Sequence, residues 1–364
     1  MYITLYASFL ILFFIFFKNK KIKLPENSHK KDPTIDFVKV LATIFVVTVH
    51  QFGDIGYYDQ NLNRFTMILS SVFFEIVLTG VPIFLIISGF LLYKKEATKQ
   101  YYFNIFYFLI PASIGIFVAN IFWAVHEQSL LVFLKPLPYY VPLYTVLYLI
   151  APFINLILKK VSKKGILCLL CLLILVIISP DLLLLNWDYS LLYIHRKIAR
   201  LTYPIMYYTL GALIHKFDFK VGTKKLILIA LITISVTVYE KFILLFNQNP
   251  SYIFGYYNGL PTMLLAVVVF LLSRNINFKS SMQREFFLKF SKLSLYFYLL
   301  SNVSGRLINE FIVSHMSYNL NFFEMPLWVV LIIASSYPVI IICYSLSGSV
   351  TTYLKEKTSQ KNNI

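Results

Sequence analysis

Asp36-Phe37-Val38-Lys39-Val40-Leu41-Ala42-Thr43-Ile44-Phe45-Val46-Val47-Thr48-Val49-His50 is apolar enough to cross a bilayer, yet it carries an acid, a base, a hydroxyl and an imidazole. At about 100° per residue, Lys39 and His50 fall within roughly 20° of each other after three turns. Thr43 lies between them, and Asp36 precedes Lys39 by one turn. Ionisable groups in a spanning helix are costly unless they face protein, water or a partner. The segment therefore reads as one wall of a polar cavity inside a membrane protein, not as a lipid-facing anchor.

Composition agrees. Apolar residues make up 59% of the 364-residue chain and charged residues 13%, against about 25% charged in an ordinary soluble domain. The apolar content comes in blocks of spanning length. The spacing predicts an all-α polytopic membrane protein with about eleven transmembrane helices: 2–17, 34–52, 70–92, 103–124, 138–158, 165–180, 201–215, 225–246, 257–272, 290–313 and 326–347. The first block lacks a preceding basic residue and a small-residue cleavage site, so it is read as a retained helix rather than a signal peptide.

Charge alternates between connections. Lysines crowd 18–31, 94–99, 159–164, 216–225, 274–292 and the tail, whereas the intervening connections hold Asp54, Asp59, Glu127, Asp181, Asp188 and Glu324. Basic connections belong on the cytoplasmic side. This predicts an outside N-terminus, a cytoplasmic C-terminus and an odd number of spans. It also accounts for the net charge of +17 without a nucleic-acid partner, since short basic turns suit anionic lipid. The same orientation sets Lys39 near the inner boundary and His50 about 16 Å further out.

At these residues the chain resembles acyltransferase family three, integral-membrane enzymes that O-acylate bacterial surface polysaccharides. The family's early helix carries an acid, a basic residue, ten intervening residues and a histidine, here Asp36, Lys39 and His50. Arginine is usual where Lys39 stands. Pro82-Ile83-Phe84-Leu85-Ile86-Ile87-Ser88-Gly89-Phe90-Leu91-Leu92 matches the family's Ser-Gly-Phe-Leu run. Tyr207-Tyr208-Thr209-Leu210-Gly211 and Leu293-Ser294-Leu295-Tyr296-Phe297-Tyr298-Leu299-Leu300 resemble its later motifs. Two features depart from the pattern: Tyr101 through Ile110 holds no arginine, and Ser301 stands where histidine is common.

The resemblance covers roughly 33–347. It leaves residues 1–32 as an additional helix with its basic connection and 348–364 as a short basic tail. It implies a cytoplasmic acetyl-CoA donor, no metal, and a cell-surface or lipid-linked glycan acceptor. Partners would be the acyl-CoA, the glycan, membrane lipid, and a homo-oligomer or glycan-synthesis complex in the bacterial plasma membrane. Lys39 would hold donor phosphate, with Asp36 beside it, and His50 would be the general base. The alternative is a noncatalytic transporter or export component for a glycan or lipid-linked sugar.

Other ionisable residues refine the cavity. Glu75 lies at a depth similar to that of His50 and is expected to orient its imidazole, or else to be a solvated helix-end acid. Arg306, with Asn302 and Glu310 four residues to either side, makes either a site for a sugar or acyl oxygen or a self-satisfied ion pair. Ser88 and Gly89 read as a close-packing feature rather than a nucleophile. Cys168, Cys171 and Cys343 read as small hydrophobes rather than a zinc site. Tyr139, Tyr140, Tyr144 and Tyr148 are candidates to line a route.

Overall fold

The computed structural model describes residues 32–54, 64–134, 137–162, 164–166, 168–172, 174, 189–246, 257–311 and 318–361. The block 2–17, half of 165–180, and the acids Asp59, Asp181 and Asp188 lie outside the described residues. The described chain is helical throughout: α1 (Pro33–Asp54), α2 (Arg64–Leu78), α3 (Gly80–Leu92), α4 (Lys99–Phe103), α5 (Phe106–Glu127), a 3₁₀ turn (Leu130–Leu134) and α6 (Tyr140–Lys160). Then follow α7 (Tyr189–Lys216), α8 (Thr223–Phe246), α9 (Leu260–Arg274), α10 (Ser281–Ser291), α11 (Ser294–Phe311) and α12 (Tyr318–Lys361).

The expectation of about eleven transmembrane helices is corrected. Among the described residues, five stretches are long and apolar enough to cross a membrane: Pro33–Gly53, Phe65–Leu92, Lys99–Glu127, Tyr140–Lys160 and Phe322–Thr351. The reasons are physical. The 15 residues of α9 reach only about 22 Å at 1.5 Å each, short of a hydrocarbon core of about 30 Å. Lys224, Lys225, Glu240 and Lys241 flank the apolar part of α8. Asn302, Arg306, Asn309 and Glu310 make α11 too polar. The sides assigned to the termini rested on charge alternating across eleven spans, and five membrane-length stretches do not fix them.

Two predicted single helices are each a pair. Pro82 has no N–H to donate to Leu78, so the block 70–92 breaks at Thr79. The Thr79 hydroxyl and amide both turn back to the Ile76 carbonyl, at 2.6 and 3.2 Å. The block 290–313 likewise divides at Lys292–Leu293, between α10 and α11.

Helix α3 packs most closely on α7, and α11 lies against α1, α5 and α12. The first of these crossings depends on two glycines. A Cβ on Gly89 would sit 1.9 Å from the Tyr208 carbonyl oxygen, and one on Gly211 would sit 2.0 Å from that of Ile86. The Ser-Gly-Phe-Leu and Tyr-Tyr-Thr-Leu-Gly segments are thus the two sides of one backbone contact. The Ser88 hydroxyl donates to the Phe84 carbonyl at 2.8 Å, consistent with a packing role.

The lysine-rich connections converge on one end of the bundle. The Asn155 amide on α6 donates to the carbonyls of Leu92 and Lys95, at 2.8 and 3.0 Å. Lys159 pairs with Glu96, and Lys216 donates to the Leu158 carbonyl at 2.6 Å. Asn275, just after α9, caps the Val221 carbonyl at 2.9 Å. Phe37 on the first turns of α1 meets Phe278 and Phe287 in edge and tilted ring contacts.

Candidate active site

Helix α1 runs from this lysine-rich end to His50. Asp36 is buried, and its carboxylate accepts the Ser291 hydroxyl at 2.7 Å, fastening α1 to the end of α10. Thr43 is also buried and returns its hydroxyl to the Lys39 carbonyl at 2.7 Å. Such back-bonding satisfies a hydroxyl inside a helix. Of the polar residues on this helix, Lys39 lines one of two neighbouring cavities and His50 the other.

Two cavities lie along α1. The larger, about 290 Å³, takes Lys39 from α1, Ser88 from α3, Tyr144 from α6, and Lys292 and Ser294 from the α10–α11 turn. The smaller, about 140 Å³, takes His50, Tyr139 and Tyr257. Val46, Val81, Tyr140 and Tyr298 line both. These four side chains form a shared wall, so the lysine chamber and the histidine chamber meet part-way along the bundle. Val46 lies seven residues after Lys39 and four before His50, on the same face.

Aromatic contacts shape the wall. The Tyr298 ring lies 6.1 Å from the His50 ring and 5.4 Å from Tyr140, centroid to centroid. The Tyr140 amide donates to the Tyr298 hydroxyl at 3.1 Å. That hydroxyl therefore accepts from the backbone and keeps its own proton to donate. Gly80 sets the spacing: a Cβ there would meet the Ala42 carbonyl oxygen and Val46 Cγ2, both at 2.9 Å. His50 Nδ1 is buried without a hydrogen-bond partner among the described residues.

Glu75 faces α9. It is buried, and its carboxylate accepts the hydroxyl of Thr262 on α9 in a short hydrogen bond. Equal depth on neighbouring helices does not fix rotation, and α2 turns this acid toward α9.

Arg306 and Glu310 do pair, at 3.1 Å, and His126 from α5 joins them, with Nε2 2.6 Å from the Glu310 carboxylate. Asn302 is exposed. This cluster ties α5 to α11 and lines neither cavity. Of the four candidate tyrosines, Tyr139, Tyr140 and Tyr144 line a cavity. Tyr148 instead stacks on Tyr101 at 4.4 Å, each hydroxyl donating to the other's carbonyl. Ser294 and Tyr298 stood in a motif segment but were given no role in the site, and Lys292 was not singled out at all. For Ser294 and Tyr298 the signal was the register of α11, on which residues 294, 295 and 298 share one face.

A family model described as an acyltransferase domain, that of acyltransferase family 3, matches residues 32–345. The chain belongs to this family. No curated protein matches it, and no solved structure does. Membership establishes acyl transfer as the general activity and an acyl-CoA-like donor as the general substrate class. The acyltransferase motif residues now have places: Gly89 and Gly211 at the α3–α7 crossing, Tyr298 between the chambers, and Lys39 and His50 one in each chamber. Phe90 of the Ser-Gly-Phe-Leu run carries the Arg274 guanidinium 4.3 Å above its ring. Ser301 is buried with its hydroxyl unpartnered among the described residues.

Proposed function

We propose that this acyltransferase moves an acetyl group from acetyl-CoA to a hydroxyl of a cell-surface or lipid-linked polysaccharide, with His50 as general base. One observation carries the reading: α1 lends Lys39 to one chamber, His50 to the other, and Val46 to the wall they share. The concentration of lysine at the Lys39 end supports a cytoplasmic position for that end in a bacterial plasma membrane, on the side where acetyl-CoA is made. Donor thioester enters there and lays its acyl end against Val46, Val81, Tyr140 and Tyr298.

The acceptor hydroxyl enters beside His50. The imidazole takes its proton as the oxygen attacks the thioester carbonyl. The Tyr298 hydroxyl donates toward the carbonyl oxygen as it gains charge. Collapse of the tetrahedral adduct breaks the C–S bond. Coenzyme A leaves as thiolate, and the proton held by His50 passes to sulfur, so an ester and a free thiol result. The aromatic wall keeps bulk water from competing as acceptor.

Lys39 supplies positive charge to the donor chamber. Removing a charge-assisted contact to phosphate costs about tenfold in affinity. Lys39→Ala is therefore expected to raise the apparent KM for acetyl-CoA about tenfold, leaving acceptor dependence unchanged. Lys39→Arg restores it, and any excess gain reports a bidentate contact. Donor titration on equal amounts of inserted protein checks this. An unaltered donor KM in Lys39→Ala removes Lys39 from the donor site.

The function itself is tested by mass spectrometry of surface polysaccharide from cells with and without the protein, grown on isotopically labelled acetate. Labelled O-acetyl esters that depend on the protein support the reading. Glycan movement in proteoliposomes without any acyl donor, and no ester with one, replaces it with a transporter.

A further inference from the structure

The turn between α10 and α11 places Ser291, Lys292 and Ser294 on the larger cavity, which Lys39 also lines. The cavity lining holds two lysines from separate elements and, among the described residues, no carboxylate. Asp36, the nearest acid in sequence, is turned onto the Ser291 hydroxyl instead. Ser294 opens α11, an 18-residue helix whose first amides lack intrahelical acceptors. Its side chain is 6% exposed, and its hydroxyl oxygen is buried with no hydrogen-bond partner among the described residues. An unsatisfied buried hydroxyl at a cavity wall has a cost unless a ligand completes it. Two cations, this hydroxyl and a helix N-terminus together suit an anion of more than one charge.

We propose that Lys292, Ser294 and the first turn of α11 form, with Lys39, a clasp for the phosphate groups of the donor. The clasp reads the phosphorylated part of the acyl carrier, while the remainder of the cavity, lined by Phe84, Leu91, Phe108 and Leu295, takes its uncharged arm. This rests on the acyl-CoA reading above and adds a specificity: carriers lacking phosphate bind without the clasp. Lys292 is thereby a donor-binding residue that the family resemblance did not supply.

The test uses purified full-length protein in detergent and equilibrium dialysis with two probes, acetyl-CoA and S-acetylpantetheine, the second lacking phosphate. Lys292→Gln is expected to raise the Kd for acetyl-CoA about tenfold, and Ser294→Ala about threefold. Both leave the Kd for S-acetylpantetheine unchanged, and Lys292→Arg stays near wild type. Inorganic pyrophosphate is expected to displace acetyl-CoA from the wild-type protein but not S-acetylpantetheine, which covers the case of a variant that fails to fold. Equal weakening of both probes, or no competition by pyrophosphate, overturns the clasp. Ester formation from acetyl-CoA with unchanged affinity in Lys292→Gln also removes the clasp but leaves the transfer reading standing. Clasp-dependent binding without any ester has the opposite meaning.

Discussion

His50→Ala abolishes donor-dependent esterification of the surface glycan in cells while leaving the protein inserted. General base catalysis by a positioned side chain is worth about 10²- to 10⁴-fold, and loss on that scale takes the labelled ester below detection. The geometry gives the effect its specificity. His50 is the imidazole lining the small cavity, its Nδ1 makes no hydrogen bond among the described residues, and its ring neighbour is Tyr298. Removing the ring breaks no hydrogen bond or ion pair seen in the structure, so folding is spared. His50→Gln keeps polarity without a base and is expected to be equally inactive. Wild-type ester levels in a correctly inserted His50→Ala would sink the assignment. Since Glu75 is engaged with Thr262, Glu75→Gln is expected to act through folding and not through the pH dependence of transfer.

Gly89→Ala and Gly211→Ala produce the largest loss of folded protein. Each Cβ would lie about 2 Å from a backbone carbonyl oxygen of the opposite helix, and backbone cannot swing aside as a flexible side chain does. Helices α3 and α7 must separate instead, which loosens the packing of Tyr207 and Tyr208, both fully buried. Overpacking costs about 1–3 kcal/mol and sometimes more; a backbone clash at a helix crossing belongs at the upper end. Gly348→Ala is the control, because a Cβ there meets nothing within 4 Å. Thermal melting of purified protein by fluorescence-detected size exclusion gives the comparison. Unchanged melting of Gly89→Ala would contradict the close crossing.

The register of α1 was legible because a helix repeats every 3.6 residues, so Lys39, Val46 and His50 share a face whatever surrounds them. The packing role of Ser88 and Gly89 followed from the lack of a base and acid at helical spacing. Other features lie in relations between helices, which one strand of text does not carry. Glu75 was matched to His50 on depth, but rotation of α2 decides its partner. Gly89 and Gly211 looked like separate motifs and are halves of one contact. His126 went unread because its partner, Glu310, lies on a distant helix. The helix count failed for a different reason. Hydropathy alone does not register the shortness of α9 or the charges on α8 and α11.

The central claim is that the donor reaches the wall shared by the two chambers. Single cysteines at Val46 and at Leu295, in protein with Cys168, Cys171 and Cys343 replaced by alanine, test it by their rate of modification with a small thiol reagent. Leu295 lines only the larger cavity, whereas Val46 lines both. Acetyl-CoA is predicted to slow modification at both positions. Protection at Leu295 with an unchanged rate at Val46 would show that the donor stops short of the wall and would contradict transfer between the chambers.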